Sequence, residues 1–271
     1  MMETKTDDAK PHDWQEAGDA WGHSAPDWAC LYEHYAIDAI LAIFSRTGVS
    51  DQTHLLDVAC GSGLALRLGE AMGAKTAGID AAETLIHIAR ERNPNSELVL
   101  GSMFELPWQD NTFDAVVSIN GIWGGCEAAL VEARRVLKPN GKVGISFWGD
   151  GTPNDLRACF KAFARHAPQE HFGSMKKLNG IATPGVAEKM LTGAGFDVIE
   201  RGARVSTIEW PDAELAWRAV SSIGPAVPAL RHSDPKVVKQ AVLEAIEPCR
   251  DSSGIYRFRN DHQFVIAKNG T

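Results

Sequence analysis

Two glycines that follow a buried strand are the residues of this sequence best placed to hold a small ligand. The stretch Leu55–Gly63 reads as a short apolar strand, an aspartate at position 57, and a turn carrying Gly61 and Gly63. Residues 64–72 then follow a helical pattern. A strand, a tight turn and a helix in this order bring backbone N–H groups against a bound ligand. The chain is therefore predicted to bind a nucleotide-like cofactor.

The details of this turn favour a ligand without phosphate groups. A dinucleotide-binding turn has a third glycine that lets the helix pack closely on the strand, and Leu66 stands at that position here. The carboxylate of Asp57 would repel a pyrophosphate but would attract the ammonium group of an amino acid. We therefore expect a zwitterionic ligand, and an NAD-dependent oxidoreductase is disfavoured.

Five segments, taken in order, resemble the motifs of one enzyme family. They are Leu55–Gly63, Gly78–Asp80, Gly101–Trp108, Phe113–Ser118 and Glu132–Gly141. In these segments the chain is similar to the class I S-adenosylmethionine-dependent methyltransferases, particularly the bacterial small-molecule group, and weaker similarity covers nearly the whole chain. The resemblance implies S-adenosylmethionine as the methyl donor and S-adenosylhomocysteine as the product.

The resemblance also implies a fold and a set of cofactor-binding residues. The expected fold is α/β, doubly wound and Rossmann-like, with a mostly parallel seven-stranded sheet and helical lid insertions. Asp80 would bind both ribose hydroxyls, and Met103 and Phe104 would sandwich the adenine. The full set of expected cofactor-binding residues is Asp57, Ala59, Gly61, Gly63, Asp80, Ala81, Ser102, Met103, Phe104 and Asn120.

Ser102 departs from the family pattern, which usually has an acidic residue at this position. That acid accepts a hydrogen bond from the adenine amino group. A serine hydroxyl can accept the same bond, but without the assistance of a charge. One missing neutral contact costs about 0.5 to 1.5 kcal/mol, so binding of the cofactor is still expected.

Strands and helices alternate between residues 53 and 148, as in a parallel sheet covered by helices on both faces. Strands are predicted at residues 55–58, 75–79, 97–100, 115–119, 142–147, 198–208 and 263–267. Helices are predicted at residues 28–44, 64–72, 82–93, 127–137, 155–165, 185–194, 212–222 and 235–246.

Three segments outside this alternating pattern are expected to shape the acceptor site. Residues 1–47 form an N-terminal arm with a cap helix, and residues 48–271 form the cofactor-binding domain. A first insertion, 149–180, follows the fifth strand, and a second insertion, 211–254, follows the sixth. Because ligands of an open parallel sheet bind beyond the carboxyl ends of its strands, these segments can form a lid over the methyl group. The alternative is that they pack at the periphery.

Aromatic residues cluster at the predicted strand ends and in the arm. Trp108, Trp123 and Trp148 each follow a different strand, and aromatic faces suit both a sulfonium cation and an apolar acceptor. For any single tryptophan a position in the core is the slightly better interpretation, but as a set at three strand ends the three favour one ligand site. The residues predicted to line the substrate pocket are Trp28, Tyr32, Trp123 and Trp148.

The sequence does not identify a general base. Methyl transfer from a sulfonium needs a base only if the acceptor is an un-ionised hydroxyl or a protonated amine. His34, His166 and His171 are weak candidates, because none lies in a recognisable motif. The other histidines lack metal-ligand spacing, and the five cysteines contain no Cys-x-x-Cys pair. Neither a metal site nor a disulfide framework is expected.

Charge and composition restrict the class of partner. The formal net charge of −8 disfavours a nucleic-acid substrate. With neither a signal peptide nor a membrane span in the sequence, a cytoplasmic protein without membrane association is expected. Two functions stay open: a methyltransferase acting on an O, N, S or C nucleophile of a small molecule, and a non-catalytic module that binds S-adenosylmethionine or its product and acts through a partner. The two insertions favour the enzyme, and the oligomeric state stays open.

Overall fold

A seven-stranded sheet forms the centre of the molecule. The computed structural model describes residues 14–169 and 180–270. The strand order is β3-β2-β1-β4-β5-β7-β6, and only β7 runs antiparallel to its neighbours. The strands are β1 His54–Val58, β2 Lys75–Asp80, β3 Glu97–Leu100, β4 Phe113–Ile119, β5 Leu137–Trp148, β6 Phe196–Trp210 and β7 Tyr256–Asn269. The predicted doubly wound, mostly parallel sheet is confirmed.

Helices cover both faces of the sheet, and their apolar sides build two core clusters. One cluster joins α2, α6 and the second insertion to one face, and the other joins α5 and α7 to the opposite face. The helices are α1 Trp14–Gly22, α2 Ile37–Thr47, α3 Leu64–Ala71, α4 Glu83–Arg92, α5 Glu127–Val136, α6 Leu156–His166, α7 Val186–Gly193, α8 Ala213–Ser221, α9 Val227–His232 and α10 Pro235–Ile246. Among the described residues, none of the helices combines the length and the apolar character that crossing a bilayer requires.

The last two strands are longer than predicted and project beyond the rest of the sheet. The final residue pair between β5 and β7 is Trp148 with His262, and Arg204 of β6 stands opposite His262. Residues 205–210 of β6 continue past this point, still paired with β7. At about 3.3 Å per residue, this two-stranded ribbon projects by about 20 Å. It carries the second insertion, which connects β6 to β7, over the carboxyl ends of the parallel strands.

The single helix predicted over residues 28–44 was wrong, because the structure breaks it into three parts. A π-helical turn, Trp28–Tyr32, and a 3-10 turn, Glu33–Ala36, precede α2. Side chains from other elements donate hydrogen bonds to backbone carbonyls in this stretch: Arg92 to Ala29 (3.0 Å), Trp210 to Leu31 (2.8 Å) and Ser206 to Tyr35 (2.9 Å). Carbonyls bonded in this way leave the regular i to i+4 ladder, which explains the irregular geometry.

Trp108 belongs to the core and not to the ligand edge. It is buried in the cluster that contains α5 and α7, and its ring meets Phe113 edge-on at 5.5 Å. Its Nε1 donates a hydrogen bond to Glu97 at 2.8 Å. The prediction that it joins Trp123 and Trp148 at one site is therefore corrected, because its position after a strand did not reveal which side of the sheet its ring packs on.

Candidate functional site

The turn after β1 has the backbone geometry of a ligand-binding loop. Ala59, Gly61 and Gly63 all have positive φ angles, of 62°, 55° and 83°. A Cβ on Gly63 would lie 2.3 Å from Nδ2 of Asn93, so this position requires glycine for close packing against the end of α4. A Cβ on Gly61 would have a single neighbour within 4 Å, the Trp28 indole nitrogen at 3.7 Å. Gly61 therefore leaves its backbone accessible from the side of the arm.

Asp80 holds this turn in place. One carboxylate oxygen accepts the Gly61 N–H at 2.7 Å, and the other accepts the Ala82 N–H at 2.8 Å. Burial raises the pKa of Asp80, while these backbone hydrogen bonds lower it. A carboxylate offers about four acceptor positions, so acceptor capacity remains beside the backbone hydrogen bonds from Gly61, Ala82 and Ala81. The side chain can thus stabilise the turn and still accept hydroxyl donors from a ligand.

Asp57 is a buried carboxylate that lacks a full set of partners. It is 2% exposed, and its Oδ1 has no hydrogen-bond partner within residues 14–169 and 180–270. Burial first, and the neighbouring Asp80 second, raise the pKa of Asp57 well above its usual value. A cation at Oδ1 would relieve both effects. This position is therefore suited to a cationic group of a ligand.

The structure brings the other predicted cofactor residues to the same edge. Ala81 follows β2, Ser102 to Phe104 follow β3, and Asn120 follows β4 with a φ of 55°. We call this row, formed by the carboxyl ends of β1 to β4, the cofactor edge. The Ser102 hydroxyl accepts the backbone N–H of Phe104 at 3.1 Å, so it stabilises its own turn and retains capacity for one further acceptor contact.

Helix α1 of the arm packs directly onto the cofactor edge. A Cβ on Gly18 would lie 2.0 Å from the carbonyl oxygen of Ala81, so the two backbones approach more closely than any other residue type would allow. The Thr84 hydroxyl donates to the Gly22 carbonyl at 2.9 Å. These contacts fix the start of the arm beside the residue that follows Asp80.

A partly buried ion pair joins the arm to the glycine turn. The Arg92 guanidinium pairs with Glu33 of the arm, and its Nη1 also donates to the Ser62 hydroxyl at 3.2 Å. The Ser62 hydroxyl in turn donates to the Glu33 carboxylate. Burial raises the pKa of Glu33, and Ser62 and Arg92 oppose that rise. Arm, turn and α4 are therefore connected by charge-assisted hydrogen bonds.

The arm also contacts the second insertion. Asp27 pairs with Arg218 of α8 at 2.6 Å, and the His23 ring bonds the Ser221 carbonyl at 2.9 Å. Gly224 lies flat against Trp21, whose ring would be 2.9 Å from a Cβ at that position. The arm thus bridges the cofactor edge and the second insertion.

A narrow aromatic cavity, with an internal volume of about 20 Å³, lies where the arm, the cofactor edge and the insertions meet. Its walls include paired rings: Trp28 stacks on Tyr32 with 5.1 Å between centroids, and Tyr35 lies tilted against Trp148 at 4.6 Å. None of the lining residues is Asp, Glu, Lys, Arg or His. All four residues predicted to form a substrate pocket line it. The lining residues are Trp21, Trp28, Tyr32, Tyr35, Asn120, Trp123, Trp148, Phe160, Ile223 and Pro225.

A hydrogen-bonded chain of buried side chains begins in one wall of the aromatic cavity and continues behind it. His262 Nε2 lies 3.0 Å from Asn120 Oδ1 and 3.2 Å from Ser146 Oγ. Asn120 Nδ2 then donates to the Tyr35 hydroxyl at 2.9 Å. Burial lowers the pKa of His262 to about 3, so the ring is neutral. We call Tyr35, Asn120 and His262 the relay.

Sequence reasoning placed His262 among the histidines without a role, because its partners are scattered along the chain. The three predicted base candidates do not join it. His34 is exposed on the arm, and His166 lies beside α10 in a separate surface depression. His171 lies outside the described residues. Within the described part of the chain, no cluster of His, Cys, Asp and Glu is suited to a metal ion.

Comparison with known proteins agrees with this geometry. Residues 56–145 match the family described as a methyltransferase domain. The malonyl-[acyl-carrier protein] O-methyltransferase of Geobacter sulfurreducens is 30% identical over 209 residues, which cover 72% of this chain and 77% of that protein. The 2-phytyl-1,4-naphtoquinone methyltransferase of Nostoc is 36% identical over 130 residues, 44% of this chain and 56% of that protein.

Among solved structures, a phosphoethanolamine N-methyltransferase of Haemonchus contortus shares the fold. It was solved in complex with phosphomonomethylethanolamine and S-adenosylhomocysteine. The TM-score is 0.58 at 16% identity, and the match covers 97% of this chain and 61% of that one. The sheet order, the glycine turn after β1 and these relatives agree, and the chain belongs to the class I S-adenosylmethionine-dependent methyltransferases.

Proposed function

We propose that this methyltransferase binds S-adenosylmethionine along the cofactor edge and methylates a small, uncharged ring compound in the aromatic cavity. Asp57 would hold the ammonium group, Asp80 the ribose hydroxyls, and Met103 with Phe104 the adenine. The unpartnered oxygen of Asp57 and the lone pairs left on Asp80 support these positions. When bound, the cofactor supplies a methyl group on a sulfonium, which leaves a neutral thioether on transfer.

For such a methyl transfer the protein mainly has to align donor and acceptor and exclude water. Holding two reactants in line can lower the barrier by roughly 7 to 11 kcal/mol. Asn120 follows β4 at the cofactor edge and also lines the aromatic cavity, so donor and acceptor would meet beside it. The rings of Trp28, Tyr35 and Trp148 would exclude water and present their faces to the sulfonium charge.

The single observation that supports an uncharged acceptor is the composition of the cavity wall. No Lys or Arg lines the aromatic cavity, so a free carboxylate or phosphate on the acceptor would be buried without a counter-charge, at a cost of several kcal/mol. Flat aromatic walls favour a planar ring. Of the two kinds of acceptor in the names of the relatives, a quinone-like ring therefore suits this chain better than a malonyl group.

We further propose that residues 1–47 and the insertions 149–180 and 211–254 act as a lid. The contacts of Trp21, His23 and Asp27 with the second insertion support this arrangement. A lid would let ligands enter and would then shield the methyl group, as closing loops do in other enzymes.

Isothermal titration with S-adenosylmethionine and, separately, NAD tests the cofactor assignment. We expect micromolar-range binding of S-adenosylmethionine alone, and a cofactor concentration 100 times the Kd should stabilise the fold by about 2.7 kcal/mol. Binding of NAD alone would contradict the assignment. Incubation with methyl-labelled cofactor and metabolite extracts should then label a neutral aromatic compound, whereas a labelled anionic aliphatic compound would contradict the acceptor class.

A further inference from the structure

Asn120 and His262 hold the Tyr35 hydroxyl in place. Their own hydrogen bonds determine whether this hydroxyl donates or accepts. His262 is neutral and its Nε2 lies near two oxygens, Oδ1 of Asn120 and Oγ of Ser146. The amide oxygen of Asn120 can only accept a hydrogen bond, so the His262 proton is placed on Nε2, which donates to it. The Asn120 oxygen therefore faces His262, and its amide nitrogen faces Tyr35.

The amide nitrogen of Asn120 can only donate, so the Tyr35 oxygen must accept this bond. The hydroxyl hydrogen of Tyr35 is then left over, and none of the described residues accepts it within hydrogen-bonding distance. Tyr35 is 4% exposed and lines the aromatic cavity. A buried donor without a partner costs about 1 to 3 kcal/mol, which a ligand atom that accepts the bond would recover.

The hydroxyl is suited to donate a proton in a hydrogen bond and not to remove one from a substrate. Burial raises the pKa of Tyr35 well above its usual value, and the neighbouring Glu33 raises it further. The backbone at Asn120, held in the left-handed region at a φ of 55°, fixes the amide between Tyr35 and His262. The relay therefore presents one oriented donor in a wall that carries no charged side chain.

We propose that Tyr35 donates a hydrogen bond to an oxygen on the ring of the methyl acceptor, and that Asn120 and His262 act as positioning residues for this donor. The inference rests on the proposed function and narrows its acceptor class to oxygen-bearing aromatic rings, such as phenols and quinols. Tyr35 thereby becomes the residue that distinguishes such a ring from a hydrocarbon of the same shape.

Two probes of equal shape test this directly. We would measure the Kd of 1-naphthol and of 1-methylnaphthalene by calorimetry, with S-adenosylhomocysteine present at saturation. Tyr35→Phe should raise the Kd of 1-naphthol by about 2- to 12-fold, the range that corresponds to one neutral hydrogen bond. The Kd of 1-methylnaphthalene should not change. The matched control is Tyr256→Phe, because the Tyr256 hydroxyl bonds Glu247 outside the cavity; it should change neither probe.

His262 has its own test, in which a purely structural role gives a different result. His262→Gln keeps an N–H for Asn120 and should retain the preference for 1-naphthol, whereas His262→Leu should lose it with little change for 1-methylnaphthalene. If His262→Leu weakens the binding of both probes equally, the positioning role is overturned. If this variant does not fold, Tyr35→Phe still tests the donor.

The outcomes separate this inference from the proposed function. If the wild-type protein binds S-adenosylhomocysteine but Tyr35→Phe leaves the ratio of the two Kd values unchanged, the inference is overturned and the proposed function stands. If Tyr32→Phe, and not Tyr35→Phe, loses the preference for 1-naphthol, the inference is also overturned. If calorimetry detects no binding of the cofactor to the wild-type protein, the proposed function itself fails.

Discussion

Asp57 has an environment that disfavours its own charge. Its carboxylate is buried next to Asp80, and one oxygen has no partner within the described ranges. An ionised group in this position lowers the stability of the protein without ligand, because neither charge nor hydrogen-bonding capacity is compensated. Protonation relieves this cost, and a cation bound at Oδ1 would relieve it as well.

Replacement of this carboxylate should therefore stabilise the free protein and weaken the cofactor. The raised pKa means that the folded state binds more protons than the unfolded state above about pH 4, so the contribution of Asp57 to stability falls as the pH rises through this range. At pH 7 we expect Asp57→Asn to raise the free energy of unfolding by about 1 to 3 kcal/mol.

Chemical denaturation at pH 7 and pH 4 measures this effect, and calorimetry measures the affinity for S-adenosylmethionine. The stability difference should shrink toward pH 4, and the affinity should fall at least tenfold. A variant that is less stable than the wild type at pH 7, with unchanged affinity, would refute the assigned role.

Residues at this scale differ in how well the sequence predicts them. Asp57, Gly61, Gly63 and Asp80 lie in contiguous motifs whose strand, turn and helix fix their positions locally. His262 has no such motif, because its partners Asn120 and Ser146 come from the ends of two other strands. A lone buried histidine in a final strand carries no signal until those strands are placed side by side.

At the scale of elements, local patterns predict the sheet and its covering helices but fail for the arm. The apolar periodicity of residues 28–44 is helical, yet Arg92, Ser206 and Trp210 draw carbonyls of this segment out of the ladder. Helix α1 was not predicted because Gly18 and Gly22 weaken its helical pattern. Those two glycines are needed for contacts with Ala81 and Thr84, which sequence alone does not reveal.

The close approach at Gly18 gives a prediction whose sign is opposite to helix propensity. Alanine in a helix interior is favoured over glycine by about 1 kcal/mol, but a Cβ at position 18 would lie 2.0 Å from the Ala81 oxygen. Gly18→Ala should therefore displace α1. The affinity for S-adenosylmethionine, measured by calorimetry, should fall about tenfold, and limited proteolysis should cleave the arm more readily. Gly193→Ala is the matched control, since no atom lies within 4 Å of a Cβ there. Equal affinities in both variants would show that α1 does not support the cofactor.

At the scale of the whole molecule, the arm connects two sites that are built from distant parts of the chain. It contacts the glycine turn through Glu33 and the second insertion through Trp21 and Asp27. The sequence predicted the two insertions as possible lid elements because they follow strand ends, and it grouped the arm with them. It could not predict that the arm joins them, since that depends on tertiary contacts.

Because both sites share the arm, cofactor and acceptor should bind cooperatively. We expect bound S-adenosylhomocysteine to raise the affinity for 1-naphthol at least fivefold. Bound 1-naphthol should raise the affinity for S-adenosylhomocysteine by the same factor, as linkage requires. Calorimetry in both orders measures the two factors. Arg218→Met, which removes the ion pair to Asp27, should reduce the coupling, and Arg257→Met, which removes an exposed pair to Glu209, should not. Independent binding in the wild-type protein would contradict a shared arm.

The projecting ribbon of β6 and β7 has a consequence for how such an enzyme can diversify. The second insertion is attached to the ribbon beyond the last pair with β5, and Tyr35 is supplied by the arm. Both can therefore change in length and sequence while β1 to β4, and with them the proposed binding site of the methyl donor, stay the same. Descendants of one ancestral gene could in this way acquire new acceptors by exchanging an outer segment, with the donor chemistry inherited intact.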